Sequence, residues 1–196
     1  MSGIGLIILA AGASTRMGCP KQLLKYHDRS LIHHTVNIAA ASGCQPIVVV
    51  LGAYAERIKP EIKSFPVIIA LNRDWSNGMS TSIRVGIETL LILSPQLEAI
   101  VLMLCDQPLV TTPLINQLVA TYQRTKQPIV ASQYGEVVGI PVLFESQFFP
   151  YLLKLQGDRG ARQVIKQSLP MVVRVPFPAG AFDIDTPTDY ARLINS

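Results

Sequence analysis

Leu9-Ala10-Ala11-Gly12-Ala13-Ser14-Thr15-Arg16-Met17-Gly18 follows a short apolar run directly, and Lys21 comes three residues later. Small residues let the backbone approach a ligand closely, and successive N–H groups of such a turn wrap anionic oxygens. Arg16 adds a planar fork of donors and Lys21 a compact point charge. Together they describe a triphosphate cradle, with Leu9, Ala10, Ala11 and Gly12 as its wall. The alternative is a mobile turn that happens to carry surface cations. Neither common phosphate loop is present. Five residues separate Gly12 from Gly18 where a P-loop has four, Cys19 follows Gly18 in place of Lys-Ser/Thr, and no G-x-G-x-x-G occurs.

Carboxylates stand at two other places. Ala99–Leu104 reads as a buried strand that ends in Cys105-Asp106-Gln107-Pro108, which puts Asp106 at a strand's carboxyl edge. Asp183-Ile184-Asp185-Thr186-Pro187 precedes the last helical pattern, and Asp183 and Asp185 share one side if that segment is extended. Two carboxylates from distant segments, completed by triphosphate oxygens and water, suit Mg²⁺, which rarely takes an all-protein cage. Asp106 and Asp185 are the candidate ligands. The competing roles are a turn residue for Asp106 and helix-end charge or capping for Asp183 and Asp185, and capping is the favoured reading of Asp183.

Two further segments carry polar groups at helix starts. Gly78-Met79-Ser80-Thr81-Ser82 exposes N–H groups and hydroxyls after Trp75, in competition with plain N-capping by Ser80. Gly157-Asp158-Arg159-Gly160-Ala161-Arg162 puts two arginines where the helix dipole disfavours them, so either an anion binds there or the face is simply solvated. His27, His33 and His34 meet no serine or cysteine in a recognisable pattern. Cys19, Cys44 and Cys105 form no C-x-x-C pair, so neither a disulfide framework nor a zinc site is indicated, and a reducing cytoplasmic location is expected.

The elements that must hold these residues alternate. β-branched runs recur at Gly5–Leu9, Ile47–Leu51, Val67–Leu71, Ala99–Leu104, Ile129–Ala131 and Val172–Val175, and most are apolar on both faces. Helical spacing separates them at Leu31, Thr35, Ile38 and Ala39, at Ile83, Ile87, Leu90 and Leu91, and at Leu114, Leu118 and Tyr122. Ser30, Thr112-Pro113 and Thr186-Pro187 supply start signals and Gly43 a stop. The pattern predicts a single doubly wound three-layer α/β/α domain over residues 1–196, with a mostly parallel sheet and ligands at the carboxyl ends of its strands. The chain's 196 residues are 49% hydrophobic, enough for a substantial core. A net charge of +4 favours anionic partners. With 15% charged residues and no basic run, a nucleic-acid backbone is not expected, and no apolar stretch is long enough to cross a bilayer.

Leu9 to Lys21 resembles the L-A-A-G-x-S-x-R-M-G-x-x-K signature of the molybdopterin nucleotidyltransferases, specifically the molybdenum cofactor cytidylyltransferase group. The resemblance implies a nucleoside triphosphate held by the loop, with Arg16 and Lys21 on its phosphates. Related guanylyltransferases tend to carry a second glycine where Ala11 stands, which points to CTP. C-D-Q-P is similar to the family's metal motif, and D-I-D-T-P-x-D-Y to its closing motif, although Thr188 replaces a commonly acidic residue. These imply catalytic roles for Lys21, Arg16 and Asp106, and Mg²⁺ on Asp106 and Asp185. The G-M-x-x-S element implies nucleotide contacts from Gly78, Met79 and Ser82. The G-x-P-x-L-F and G-D-x-G-A-R elements imply pterin-side contacts from Gly139, Pro141, Gly157, Asp158, Arg159 and Arg162. The implied reaction joins CMP from CTP to molybdopterin and releases pyrophosphate, for delivery to a molybdoenzyme. The alternatives are GTP as donor, another phosphorylated small molecule as acceptor, or a non-catalytic module that delivers cofactor.

Overall fold

The structure, a computed structural model, describes residues 3–195. Among them, nine strands lie at β1 (Ile4–Ala10), β2 (Lys25–Tyr26), β3 (Arg29–Ser30), β4 (Ile47–Leu51), β5 (Ile68–Leu71), β6 (Ala99–Leu104), β7 (Ile129–Tyr134), β8 (Val137–Glu145) and β9 (Val172–Pro176). The helices are α1 (Leu31–Ala40), α2 (Ala55–Ile62), α3 (Met79–Leu93), α4 (Thr112–Thr125), α5 (Phe149–Leu153), α6 (Ala161–Gln167) and α7 (Pro187–Ile194). Seven strands form the central sheet in the order β5-β4-β1-β6-β8-β7-β9, while β2 and β3 make a separate small hairpin. Every pairing in the large sheet is parallel except those of β8, which runs against both β6 and β7.

Continuous apolar strands need cover on both faces, and the burial pattern shows it. Along β1, Leu6, Ile8 and Ala10 join one core with α1, α2, α4 and α7. Ile7 and Leu9 join the other, with α3, α5 and α6. The period of two in β4 and β6 divides their side chains in the same way. The result is the mostly parallel α/β arrangement expected from the alternating runs.

Besides the short β2 and β3, strand β8 is the member of the central sheet that the pattern of β-branched runs does not reveal. Gly139 and Pro141 interrupt it, and both residues ordinarily argue against an interior strand. The register shows how they are tolerated. Val142 faces Ala131 and Gly139 faces Ser132, so Ile140 and Pro141 bulge out between them. Because β8 is reversed, its beginning lies at the edge where the parallel strands end.

Caps set the boundaries. Ser30 accepts from the His33 N–H at the start of α1. Thr111, one residue before the Thr112-Pro113 signal, caps α4. Thr186 and Asp189 form a reciprocal capping box at α7.

Helix α3 comes close to β1 through Gly86, where a Cβ would lie 2.7 Å from Ile7 Cγ2 and 3.2 Å from Val50 Cγ2. Gly86→Ala is therefore expected to destabilise the chain by roughly 1–2 kcal/mol, overpacking exceeding the gain in helix propensity. A lowered urea midpoint at unchanged slope checks it. An unchanged midpoint would show that the two layers separate freely.

Candidate functional site

The loop after β1 turns its carbonyls inward and ties them down. Gln22, 2% exposed, donates from Nε2 to the carbonyls of Ala10 and Gly12, each at 3.0 Å. The Ala53 N–H donates to Ala11 O at 3.1 Å, and the Lys21 N–H donates to Ser14 Oγ at 3.2 Å. Ser14 and Gly18 adopt positive φ values of 54° and 75°, which close the turn. The N–H groups of Gly12 and Ala13 have no partner among the described residues. A Cβ at Gly12 would meet nothing within 4 Å, so the small side chain leaves the cradle open without any packing need of its own.

Three segments far apart in sequence meet at Lys21. Its Nζ donates to Asp106 Oδ2 at 2.6 Å, to Asp185 Oδ1 at 3.2 Å and to the Ile184 carbonyl at 3.2 Å. Arg16 reaches the other Asp185 oxygen at 3.0 Å. Burial alone would lower the Lys21 pKa. The charges and hydrogen bonds of Asp106 and Asp185 outweigh it and hold the ammonium above its ordinary value.

Asp106 Oδ1 is buried without a hydrogen-bond partner. A hard cation would satisfy such an oxygen, and with Asp185 it makes the two-carboxylate donor set that Mg²⁺ accepts beside substrate oxygens and water. Among the described residues no cluster of three His, Cys, Asp or Glu converges to cage a metal alone.

Two cavities open from this cluster. The first, about 320 Å³, is bounded by Leu9, Ala10, Ala11, Gly12, Lys21, Gln22, Trp75, Gly78 and Ser82. The second, about 380 Å³, is bounded by Gln107, Tyr134, Ile140, Gly160, Ala161, Arg162 and Asp183. Arg16, Met79, Leu104, Asp106, Asp158 and Asp185 line both, so the carboxylate pair stands at the junction. Gly78, with φ 99°, lets the two sides touch. A Cβ there would lie 2.3 Å from the carbonyl carbon of Gly157, whose oxygen accepts from the Ser80 N–H at 3.1 Å.

The pterin-side candidates divide. Arg162 faces the second cavity, donates to Tyr134 Oη at 2.6 Å and lies over the tyrosine ring at 5.7 Å. Gly139 makes room for that pair, since a Cβ there would lie 2.5 Å from Tyr134 Oη and 3.1 Å from Arg162 Nε. Pro141 stands behind the wall, its carbonyl accepting from Ser132 at 2.7 Å. Gly157 meets Gly78, and Asp158 lines both cavities. Arg159 lines neither; it borders a separate groove of about 190 Å³ with Lys154 and Tyr151.

Several members had no sequence signal of their own. Gln22 and Trp75 are ordinary residues until the fold places them, and Tyr134 ends a strand. Gln107 lay inside C-D-Q-P without an assigned role. Asp183 faces the second cavity, so its position is not that of a helix cap. Burial and then the Asp106 charge raise its pKa, with Gln107 and Arg162 pulling the other way. Burial, followed by the Asp106 charge, pushes the Cys105 thiol up to about 12, so it serves as a neutral wall. His34 meets the Pro108 carbonyl at 3.0 Å and burial lowers its pKa, which makes it a packing residue behind the Asp106 turn.

Comparison with known proteins places this geometry. Nicotine blue oxidoreductase of Paenarthrobacter nicotinovorans is 28% identical over 96% of this chain and 95% of its own. Molybdenum cofactor cytidylyltransferase of Escherichia coli is 22% identical over 97% and 95%. The crystal structure of Rv0371c from Mycobacterium tuberculosis H37Rv superposes with a TM-score of 0.85 at 29% identity, covering 100% of this chain and 99% of that one; the same protein in complex with manganese gives 0.80 at 28%, covering 100% of both chains. Residues 6–172 match the MobA-like NTP transferase domain, from the first strand through the cradle, the Asp106 turn and the reversed strand β8. The chain belongs to the MobA-like NTP transferase family.

Proposed function

We propose that this chain is a cytidylyltransferase acting on a phosphorylated pterin, the molybdenum cofactor. The observation that carries the reading is the Lys21, Asp106 and Asp185 cluster at the junction of two cavities. CTP occupies the first, its phosphates on the cradle, and the pterin phosphate enters from the second. An oxygen of that phosphate attacks the α-phosphorus of CTP, the bond from the α-phosphorus to the bridging oxygen breaks, and pyrophosphate leaves. The nucleophile is already an anion, so no general base is needed. Alignment and charge neutralisation supply the rate.

The local charge supports a requirement for a divalent cation. Arg16, Lys21 and Arg162 face Asp106, Asp158, Asp183 and Asp185 across the two cavities, three formal cations against four carboxylates. A triphosphate entering such a site meets no net positive charge. Mg²⁺ on Asp106 and Asp185 would supply that neutralisation. The manganese complex of Rv0371c is a precedent for a divalent ion in a relative of this fold. The choice of CTP follows Ala11 and the cytidylyltransferase named among the relatives.

Pyrophosphate release is measured with each of the four triphosphates, with and without molybdopterin, and with Mg²⁺ or a chelator. Release is expected with CTP, acceptor and Mg²⁺ together. Asp106→Ala and Lys21→Ala are each expected to reduce turnover by about 10²-fold or more. Release with GTP alone moves the reading to a guanylyltransferase. Turnover of a reduced nicotinamide without pyrophosphate overturns it.

Asp189 Oδ2 accepts from the backbone N–H groups of Thr186 (2.9 Å) and Asp185 (3.3 Å) and so fixes the segment that carries the proposed metal ligand. The Thr186 side chain, then these N–H groups, hold its pKa below the usual carboxylate value. Its contribution is therefore complete above the unfolded-state value and lost as pH falls through the lower folded value. Asp189→Ala is expected to raise the Mg²⁺ concentration for half-maximal turnover severalfold and to weaken the acid dependence of α7 stability. Mg²⁺ titrations and acid unfolding check both.

A further inference from the structure

Lys21 is held as a metal ion would be held. Its three ammonium protons are all used, on Asp106 Oδ2 at 2.6 Å, Asp185 Oδ1 at 3.2 Å and the Ile184 carbonyl at 3.2 Å. This shell is made of oxygen alone and takes one atom from each carboxylate, the kind of donor set that suits a hard cation. Arg16 pairs with Asp185 Oδ2 at 3.0 Å, so both oxygens of Asp185 already face a cationic group. A divalent ion joining Asp106 to Asp185 would need one of those oxygens and would stand beside the ammonium. Like charges there repel, and with the Lys21 side chain 16% exposed, water and salt screen them poorly.

The ammonium also has a second place to go. A recess of about 140 Å³ is lined by Gly12, Ser14, Thr15, Arg16, Lys21 and Asp185. It brings the two cations to the cradle, where the N–H groups of Gly12 and Ala13 have no partner among the described residues. Phosphate oxygens in this recess compete with the carboxylates for the same donors. The exchange needs only the Lys21 side chain to swing, because Ser14 Oγ holds its backbone N–H at 3.2 Å. Arg16, with its side chain 69% exposed, is not held by packing.

We propose that Lys21 is a resident cation that keeps a divalent ion off Asp106 and Asp185 until a triphosphate draws the ammonium onto its own oxygens. The metal then enters with the nucleotide and not before it. No covalent step is involved: the ammonium's contacts pass from carboxylate to phosphate, and the carboxylates they leave are free to coordinate. This rests on the reading of Asp106 and Asp185 as metal ligands, and adds the order in which their site fills.

The test uses Mn²⁺, which suits carboxylate ligands as Mg²⁺ does and whose free ion is counted by electron paramagnetic resonance. It is titrated into the intact chain without nucleotide. Lys21→Met removes the charge at similar length, and Lys21→Gln removes it while keeping an N–H donor for Asp106. Both are expected to bind Mn²⁺ roughly ten- to hundredfold more tightly than wild type. Adding Asp185→Asn to either is expected to abolish the gain. Thermal unfolding gives a second readout. Mn²⁺ alone is expected to raise the midpoint of the variants more than that of wild type, whereas wild type needs CTP and Mn²⁺ together for the larger rise.

A lysine that serves phosphates or packing alone would leave Mn²⁺ affinity unchanged, or lower it when lost, and either result in the variants overturns the proposal. If wild type and variants bind Mn²⁺ equally and Asp185→Asn abolishes binding in all of them, the metal site stands and the guarding role of Lys21 falls. If Asp185→Asn changes Mn²⁺ binding in none, the reading of the metal ligands falls and takes the proposal with it.

Discussion

The Lys21 ammonium held between Asp106 and Asp185 is the contact on which the site depends. It joins the loop after β1, the turn after β6 and the segment before α7, across 85 and 164 residues of sequence. Half-buried ions of one sign repel, and an isolated buried charge is expensive. The lysine makes it possible for two carboxylates to converge at the edge of the sheet before any ligand arrives. The surrounding structure serves the same end. Gln22 fixes the loop that presents Lys21, His34 packs behind the Asp106 turn, and the α7 capping box fixes the backbone of Asp185.

This contact also corrects the meaning of the chain's overall charge. The net +4 suggests an anionic partner, yet the two cavities are lined by one more carboxylate than cation. The basic excess lies elsewhere on the surface. On the proposed function, anion recognition at the junction rests on arrangement, through free N–H groups on the cradle and a carboxylate pair suited to a cation, and not on a diffuse positive field.

Much of the architecture was readable in the sequence because apolar runs and capping signals are local. Leu6 through Leu9, Ile47 through Leu51 and Ala99 through Leu104 have the composition that only a strand covered on both faces requires. Asp106 and Lys21 were readable because each sits at a fixed offset from such a run. Strand β8 was not, since Pro141 is accommodated there in a bulge opposite β7 and Gly139 by the close approach of Tyr134 and Arg162. The placement of Arg159 and Asp183 was equally unreadable. The two arginines of G-D-R-G-A-R look alike in sequence, but the short α6 directs Arg162 into the second cavity and leaves Arg159 on another groove. Asp183 resembles a cap until Thr186 and Asp189 are seen to complete that task without it.

Gly78 and Gly157 meet backbone to backbone, with no room for a side chain between them. One belongs to the segment that borders the first cavity, the other to the segment that borders the second. A strut of this kind has no rotamers with which to absorb movement, so a shift of either segment is passed to the other. On the proposed function, binding in one cavity is expected to be coupled to binding in the other through this contact. Whatever free energy one substrate spends in settling its own segment is no longer owed by the second, and the coupling is the same in whichever order they bind.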